Sequence, residues 1–462
     1  MIIRKELVTM TEKVKLKSMN DFNYVQGLKI PVCFTTKQVK LVKLNGDASR
    51  RYYNKLVELD REKYKLQRKL KLVTESLKDE TNPQIILQKT NMINSLEKEI
   101  NHIKDLSQIK NARNIFRFLY SDKIDGNILP STNQNYRAAW NMYRKVHNSG
   151  TPQFKKFNNK WVYNTSTMYS AKYKTTPSLT NGNIKFIDQF HIQLPKLGVV
   201  KLTSKLRDFY WNHRDKIRIG TVTVRITNDG HQYISMQVAS DLNLAQQNVT
   251  HTQREIGIDL NLDNFCTLSN GEVIDTLKFY RQSEKAIKKH QAKVSKMRAK
   301  LIKAGKTKQE IENSKNYQKE RQRLAQINNQ VRNRRDNYLD NLAMDLIKKY
   351  DFIALEDLRS KNMLKNHALA KSITDSGWRT FIGKIQKKGK QYGKTVVLVN
   401  PRNTTQMCSD CGYVCGSDEC SEKLTLSERE WTCVNCHQHH IRDVNAAQNI
   451  LAKAKAQVAK EK

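Results

Sequence analysis

Two Cys-x-x-Cys pairs constrain this chain more than any other feature in it. Cys408/Cys411 and Cys433/Cys436 stand 21 residues apart, and six of the eight cysteines fall within 29 residues. Two such knuckles at this separation suit a zinc ribbon, in which four thiolates close a tetrahedral site. The expected metal is one structural Zn²⁺ on Cys408, Cys411, Cys433 and Cys436. A closed Cys₄ site keeps no open position, so it is scaffold and not chemistry. Clustered Cys-x-x-Cys pairs in a large chain with no secretory leader read as metal ligands before disulfides. Cys415 and Cys420 are not needed for that site and are expected as reduced surface thiols. Trp431 is expected to pack on the ribbon, and His437, His439 and His440 are unnecessary as ligands.

Directly after the second pair, Asp443 opens a helix, and the chain before the ribbon supplies further carboxylates in a telling order. Arg254 to Leu260 reads as a strand, Phe265 to Leu268 as a second, and the Ser269-Asn270-Gly271 turn leads to a third near Val273-Ile274. A basic helical hairpin follows, with Leu324, Ile327, Val331, Tyr338, Leu342 and Leu346 on one stripe. Phe352 to Leu355 is a fourth strand ending at Glu356; Trp378, Phe381, Ile382 and Ile385 mark a helix, and Thr395 to Val399 a fifth strand. Three strands, helix, strand, helix, strand, helix is the element order of the RNase H fold. First and fourth strands are neighbours in such a sheet, so Asp259 and Glu356 converge, and the last helix carries Asp443 to the same point. Three hard oxygen donors suit Mg²⁺ or Mn²⁺. Two such ions about 3.5–4 Å apart activate a water and stabilise the leaving oxygen of a phosphodiester.

Each acid also has an ordinary explanation. Asp443 alone reads as a helix N-cap, and Glu356 with Asp357 as a strand-end acidic pair. Asp259, in Ile256-Gly-Ile-Asp259, resists one, because an unpaired carboxylate in an apolar strand is costly. Asp263 reads as a loop acid. The case rests on all three together.

The formal charge of +39, from 83 Lys and Arg against 44 Asp and Glu, is spread over the whole chain. Such a field favours polyanions, nucleic acid above all. No run of 18 apolar residues and no leader is read, so the expectation is a cytoplasmic protein, nucleoid-associated, with no membrane partner. Residues 1–22 read as a loose extension, and Leu28 to Phe34 as an edge strand, since Pro31 cannot donate to a ladder. Residues 47–120 read as helical, with Tyr52, Leu56, Leu59, Leu66 and Leu70 at helical spacing, and Asn135 to Lys145 as a further helix. From about 150 the period becomes two; Asn228-Asp229-Gly230 signals a hairpin, and a small barrel or sandwich is expected over 151–250. Arg50, Arg51, Tyr52, Arg402 and Arg442 are the candidate nucleic-acid contacts.

With these residues in place the chain resembles the transposon-encoded RNA-guided nuclease TnpB and the miniature type V CRISPR effector nucleases. The matching phrases are Gly257-Ile-Asp259 with Ser269-Asn-Gly271, Ala354-Leu-Glu-Asp-Leu358, Cys408-Ser-Asp-Cys-Gly412, Trp431-Thr-Cys-Val-Asn-Cys436 and Arg442-Asp-Val-Asn-Ala-Ala-Gln-Asn-Ile450. The resemblance implies a multidomain α+β protein: a split RuvC-like, RNase H-like core over 251–402 and 441–462, interrupted by a zinc ribbon at 403–440. It also implies a wedge β-barrel at 23–45 and 151–250, with a helical recognition domain at 46–150 between its pieces. The implied catalytic acids are Asp259, Glu356 and Asp443, the implied partners a guide RNA and double-stranded target DNA beside a short flanking motif. Two copies sharing one guide RNA is an arrangement the resemblance leaves open. His440-Ile-Arg442 departs from the His-Asp-Arg phrase expected there, and Cys415 and Cys420 are additions. Two rival functions are a nuclease-inactive RNA-guided DNA-binding repressor, which would lack one of the acids, and a strand-transfer transposase, whose acids follow a different order.

Overall fold

Alternating side chains from Tyr24 onward build a ten-residue strand, β1 (Tyr24–Cys33), around which the first part of the chain is organised. The computed structural model describes residues 17–108, 111–112, 116–119, 121–147, 149–157, 160–169, 177–244, 249–261, 263–275, 277–358, 377–417, 422–425 and 427–461. They fall into two compact units, Met1–Leu244 and Ala245–Lys462.

In the first unit β1 joins β2 (Trp161–Ser166), β3 (Lys185–Phe186), β4 (His191–Leu194), β5 (Gly198–Leu202), β6 (Arg218–Ile226) and β7 (Gln232–Ser240). The antiparallel order is β2-β6-β7-β1-β5-β4-β3, so β1 is central and not the expected edge strand. Pro31 is tolerated because it ends the ladder to β7, opposite Tyr233, where pairing passes to β5 at Val32. Its carbonyl still accepts from the Thr203 N–H at 3.0 Å. Asn228-Asp229-Gly230 turns β6 into β7, with Gly230 at φ +91°.

α1 (Thr36–Leu77) and α3 (Ile128–Lys145) pack on this sheet at β2, α2 (Pro83–Leu106) packs on α1, and a short helix, α4 (Asp208–Asn212), follows β5. Thr35 and Gln38 cap α1 reciprocally, so the helix starts well before the expected boundary at 46. Asn82 caps α2, with Pro83 in its first turn. Leu56, Ile128, Val200, Val222 and Ile234 belong to one continuous core, so the stretches 46–150 and 151–250 share an interior. Tyr52 lies in that core at 0% exposure, its ring 6.2 Å from that of Phe116. It is therefore a packing residue and not a nucleic-acid contact; an aromatic at apolar-stripe spacing points inward.

The second unit holds β8 (Glu255–Asp259), β9 (Cys266–Leu268), β10 (Val273–Ile274), β11 (Phe352–Glu356) and β12 (Thr395–Val399), in the order β10-β9-β8-β11-β12. β8, β11 and β12 are parallel, while β9 and β10 are antiparallel hairpin strands. Parallel neighbours need crossovers. One is made by α5 (Phe279–Lys303), α6 (Lys308–Asn313) and α7 (Lys315–Lys349), the other by α8 (Trp378–Tyr392). The period of two sorts the strand residues between faces. Ile256, Ile258, Ile353 and Leu355 pack with Leu339 and Leu346 of α7 and Phe381 and Ile385 of α8. On the other face Ala354, Val397 and Val399 pack with Ile450 and Ala454 of α9 (Arg442–Glu461). A two-stranded ribbon, β13 (Glu430–Thr432) and β14 (His439–Ile441), precedes α9. Among the described residues no helix is long and apolar enough to cross a membrane.

Candidate active site

Gly257 decides how α9 lies on the sheet. A Cβ there would stand 2.0 Å from the Ala447 carbonyl oxygen and 3.0 Å from Leu451 Cβ, so only glycine lets the helix cross so close. Ala446 and Ala447 present the matching small residues, both buried. The helix runs antiparallel to β8: Ala447 lies over Gly257, and Lys455 Nζ pairs with Glu255 at the start of the strand. Asp443, one turn before Ala447, therefore stands at the end of β8 that carries Asp259. The β8–β11 register pairs Gly257 with Ala354 and Ile258 with Leu355. One step further sets Asp259 beside Glu356, one strand spacing (about 4.8 Å) away. Both side chains fall on the α9 face, opposite Ile258 and Leu355.

The electrostatics of this cluster are those of crowded carboxylates. Burial, then the charges of Glu356 and Asp443, push the Asp259 carboxyl up to about 8, against the opposing pull of Arg442 and a hydrogen bond from Asn261. Burial also raises Glu356, with the Thr404 hydroxyl and the Lys453 charge opposing. Thr404 is itself buried and donates to Glu356 Oε1 at 2.5 Å. Asp259, held up by burial and by two neighbouring carboxylates, and Glu356, held up by burial, would both have their ionised forms favoured by a bound divalent cation. The donor set therefore fits Mg²⁺ or Mn²⁺. The three acids do not each bring an oxygen within 4.8 Å of the others. Asp443 is drawn aside by arginine: Arg442 Nε and Nη2 reach its Oδ1 at 2.9 and 2.8 Å, and Arg429 Nη1 lies 3.7 Å from its Oδ2. Arg429 also pairs with Asp263.

The four cysteines converge. Sγ of Cys408 and Cys436 are 3.6 Å apart, as are those of Cys411 and Cys433, and all four sulfurs lie within 4.8 Å of one another. Tetrahedral Zn–S bonds of about 2.3 Å put sulfurs roughly 3.8 Å apart, whereas a disulfide needs about 2.05 Å. The geometry thus fits a zinc ion. His440 Nε2 lies 3.1 Å from Cys408 Sγ, and its ring packs 4.9 Å from that of Trp431. With Cys408 and Asp410 it forms a second group of ligand atoms within 4.8 Å of one another, overlapping the four thiols at Cys408. Cys415 is buried with Cys408, Trp431 and Cys433 in the ribbon's small core, correcting the expectation of a surface thiol. Cys420 lies outside the described residues.

Of the candidate nucleic-acid contacts, Arg51 and Arg402 are exposed, while Arg50 is half-buried against Asp47 at 2.5 Å. Arg442 is only 6% exposed and committed to Asp443, so it partners the acid and is not free for a phosphate. Besides Thr404, two residues carry no functional signal of their own in the sequence. Asn445 and Asn449, both buried on α9, hold the first knuckle down. Asn445 accepts from the Ser409 N–H at 2.8 Å and donates to the Met407 carbonyl at 2.7 Å. Asn449 donates to the Met407 and Thr404 carbonyls at 2.6 and 3.0 Å. Two asparagines four apart, flanking buried alanines, were the available signal. Zinc ligand Cys408 and Glu356's partner Thr404 are thereby fixed to the helix that carries Asp443.

Residues 378–450 match the Cas12f1-like TNB domain family, and residues 231–367 match the OrfB_IS605 family, described as "Probable transposase". Together these ranges contain all three acids and all four clustered thiols. A provisionally named RNA-guided DNA endonuclease of Streptomyces pristinaespiralis is 32% identical over 233 residues, 50% of this chain and 52% of that protein. InsQ of Escherichia coli strain K12, under the same provisional name, is 25% identical over 286 residues, 58% of this chain and 63% of that protein. The chain thus spans between half and two thirds of the length of these relatives. A solved Cas12f1–sgRNA–target DNA complex contains a chain of similar fold, with TM-score 0.50 and 13% identity, over 92% of this chain and 98% of that one. From β7 through α9 the chain is therefore similar to the TnpB proteins and to the Cas12f1-like effectors, the families its motifs resemble.

Proposed function

We propose that the chain is an RNA-guided DNA endonuclease with a RuvC-like, RNase H-like core. The observation that carries this reading is the placement of Asp259, Glu356 and Asp443 at one end of β8, beside the first turn of α9, close enough for both other acids to act on Asp259. The strand order β10-β9-β8-β11-β12 supports the core assignment, and the names of the curated relatives support the activity. Magnesium ions bound there would generate the attacking hydroxide and stabilise the leaving oxygen. Asp259 and Glu356 are presented from neighbouring strands, with Thr404 orienting the glutamate. Arg442 and Arg429 hold Asp443 on the ribbon side of the site. The Cys₄ zinc ribbon is structural, and it fixes the approach to α9 through Asn445 and Asn449. In this reading the first unit serves as wedge and recognition region, handling a guide RNA and the DNA beside its target.

The test is to purify the protein, sequence the RNA that co-purifies, and offer plasmid DNA matched to that RNA. Cleavage with magnesium and none without it is the expected outcome. Guide-independent cutting, or no bound RNA, refutes the RNA-guided reading. The family description as a transposase keeps strand transfer in view; joined products, and not only breaks, would favour it.

A further inference from the structure

The first unit contains a cavity of about 500 Å³ between α1 and α3, a size that suits a small-molecule ligand. Its lining follows helical spacing on both sides, with Asp60, Tyr64 and Gln67 on α1 facing Arg137, Trp140 and Arg144 on α3. A seam between two packed helices is ordinarily apolar; this one is aromatic, polar and cationic. The single acid in the lining is already engaged. Asp60 accepts from the Tyr136 hydroxyl, from Trp140 Nε1 at 3.0 Å and from Lys63 Nζ at 2.5 Å. Its charge is thus matched by Lys63, and the surplus charge of the cavity is that of Arg137 and Arg144. The Trp140 indole is held in place by the same carboxylate, with the Arg144 guanidinium 6.0 Å from its ring. On the α1 side of the same cavity, Tyr64 is 67% exposed, so its ring is open to a flat partner.

A fixed indole, an open phenol ring, two cations and an amide edge from Gln67 match the parts of a nucleotide: a flat base, a phosphate and polar base edges. Resting on the nucleic-acid reading above, we propose that this cavity takes one unstacked nucleotide of a single strand, its base against Tyr64 and Trp140 and its phosphate at Arg137 and Arg144. The strand is RNA or DNA, and the two sources are separated by the test.

Binding is measured by fluorescence anisotropy with the full chain, without added magnesium, on short labelled oligo-uridine RNA and oligo-thymidine DNA across a salt series. Losing one base stack weakens binding roughly tenfold. Tyr64→Ala is expected to show that loss on the RNA, the DNA or both, with an unchanged salt slope, while Tyr64→Phe binds as the wild type. Arg137→Ala should flatten the slope by about 0.7. Because Tyr64 is so exposed, its variants should melt with the wild type. The proposal is overturned if Tyr64→Ala binds both oligonucleotides normally, or if Tyr64→Phe shares its loss. Cleavage with magnesium, assayed separately, distinguishes failure of this site from failure of the nuclease reading.

Discussion

Alanine at Gly257 tests the geometry of the whole site with a single methyl group. Its Cβ would meet the Ala447 carbonyl oxygen at 2.0 Å, the Ala447 carbonyl carbon at 3.0 Å and Leu451 Cβ at 3.0 Å. A carbon–oxygen contact relaxes at about 3.3 Å, so helix and strand must separate by roughly 1.3 Å. The strand has little freedom to move, since β8 is hydrogen-bonded to β9 on one side and β11 on the other. The movement therefore falls on α9. Overpacking of this kind costs about 1–3 kcal/mol, occasionally more, and it should appear as a lower melting temperature with zinc content unchanged. The larger effect is on chemistry. Asp443 rides on the same helix one turn away, and a displacement near 1 Å from productive geometry lowers turnover about 100-fold. DNA cleavage at saturating magnesium is the assay, with guide-RNA binding as the control. A Gly257→Ala protein that melts and cleaves like the wild type would refute the helix placement and the convergence built on it.

Three further predictions concern the same unit. Asn445→Ala removes the acceptor of the Ser409 N–H and leaves the Met407 carbonyl to Asn449 alone, so it should cost about 1–3 kcal/mol in chemical denaturation and slow cleavage. Cys433→Ser removes a fully buried thiol from the Cys₄ set; zinc bound per chain should fall from one to near none by metal analysis. The third follows from the raised Asp259 carboxyl. Its folded form keeps a proton, up to about pH 8, that the unfolded chain releases near its ordinary range. Its stabilising contribution in magnesium-free protein is thus complete at acid pH and is lost as pH rises toward 8. Thermal melts without magnesium should show a stability that declines as pH rises toward 8, which Asp259→Asn abolishes and added magnesium offsets; equal pH profiles for the two proteins would contradict it.

Of the proposed acids only Asp259, a carboxylate in an apolar strand, stood out by itself; Glu356 reads equally as a strand-end acid and Asp443 as a helix N-cap, and it is the three in fold order that single them out. Periodicity sufficed for the strands and helices of the second unit, since the element order limits how a mixed sheet can pair. What failed was non-local. Pro31 suggested an edge, but the strand changes partner beside it, and partner choice is not written in the strand itself. Tyr52 among arginines looked like a contact surface until packing turned it inward. Arg442 looked like a free cation, yet its nearest carboxylate is the next residue. Cys415 had no separate signal for burial, because the ribbon's core consists of the cysteines and Trp431. Thr404 acts through the Glu356 carboxylate, and Asn445 and Asn449 through backbone groups of the first knuckle, partners that the sequence alone does not name.

Asp259, Glu356 and Asp443 are proposed as one metal-dependent cutting site in a chain that finds its DNA through RNA. The most direct measurement is cleavage of guide-matched DNA by Asp259→Ala beside the wild type, in magnesium, with DNA binding followed in parallel. Cleavage is expected to be abolished while guide and target binding stay close to wild type. Full cleavage by Asp259→Ala would contradict it.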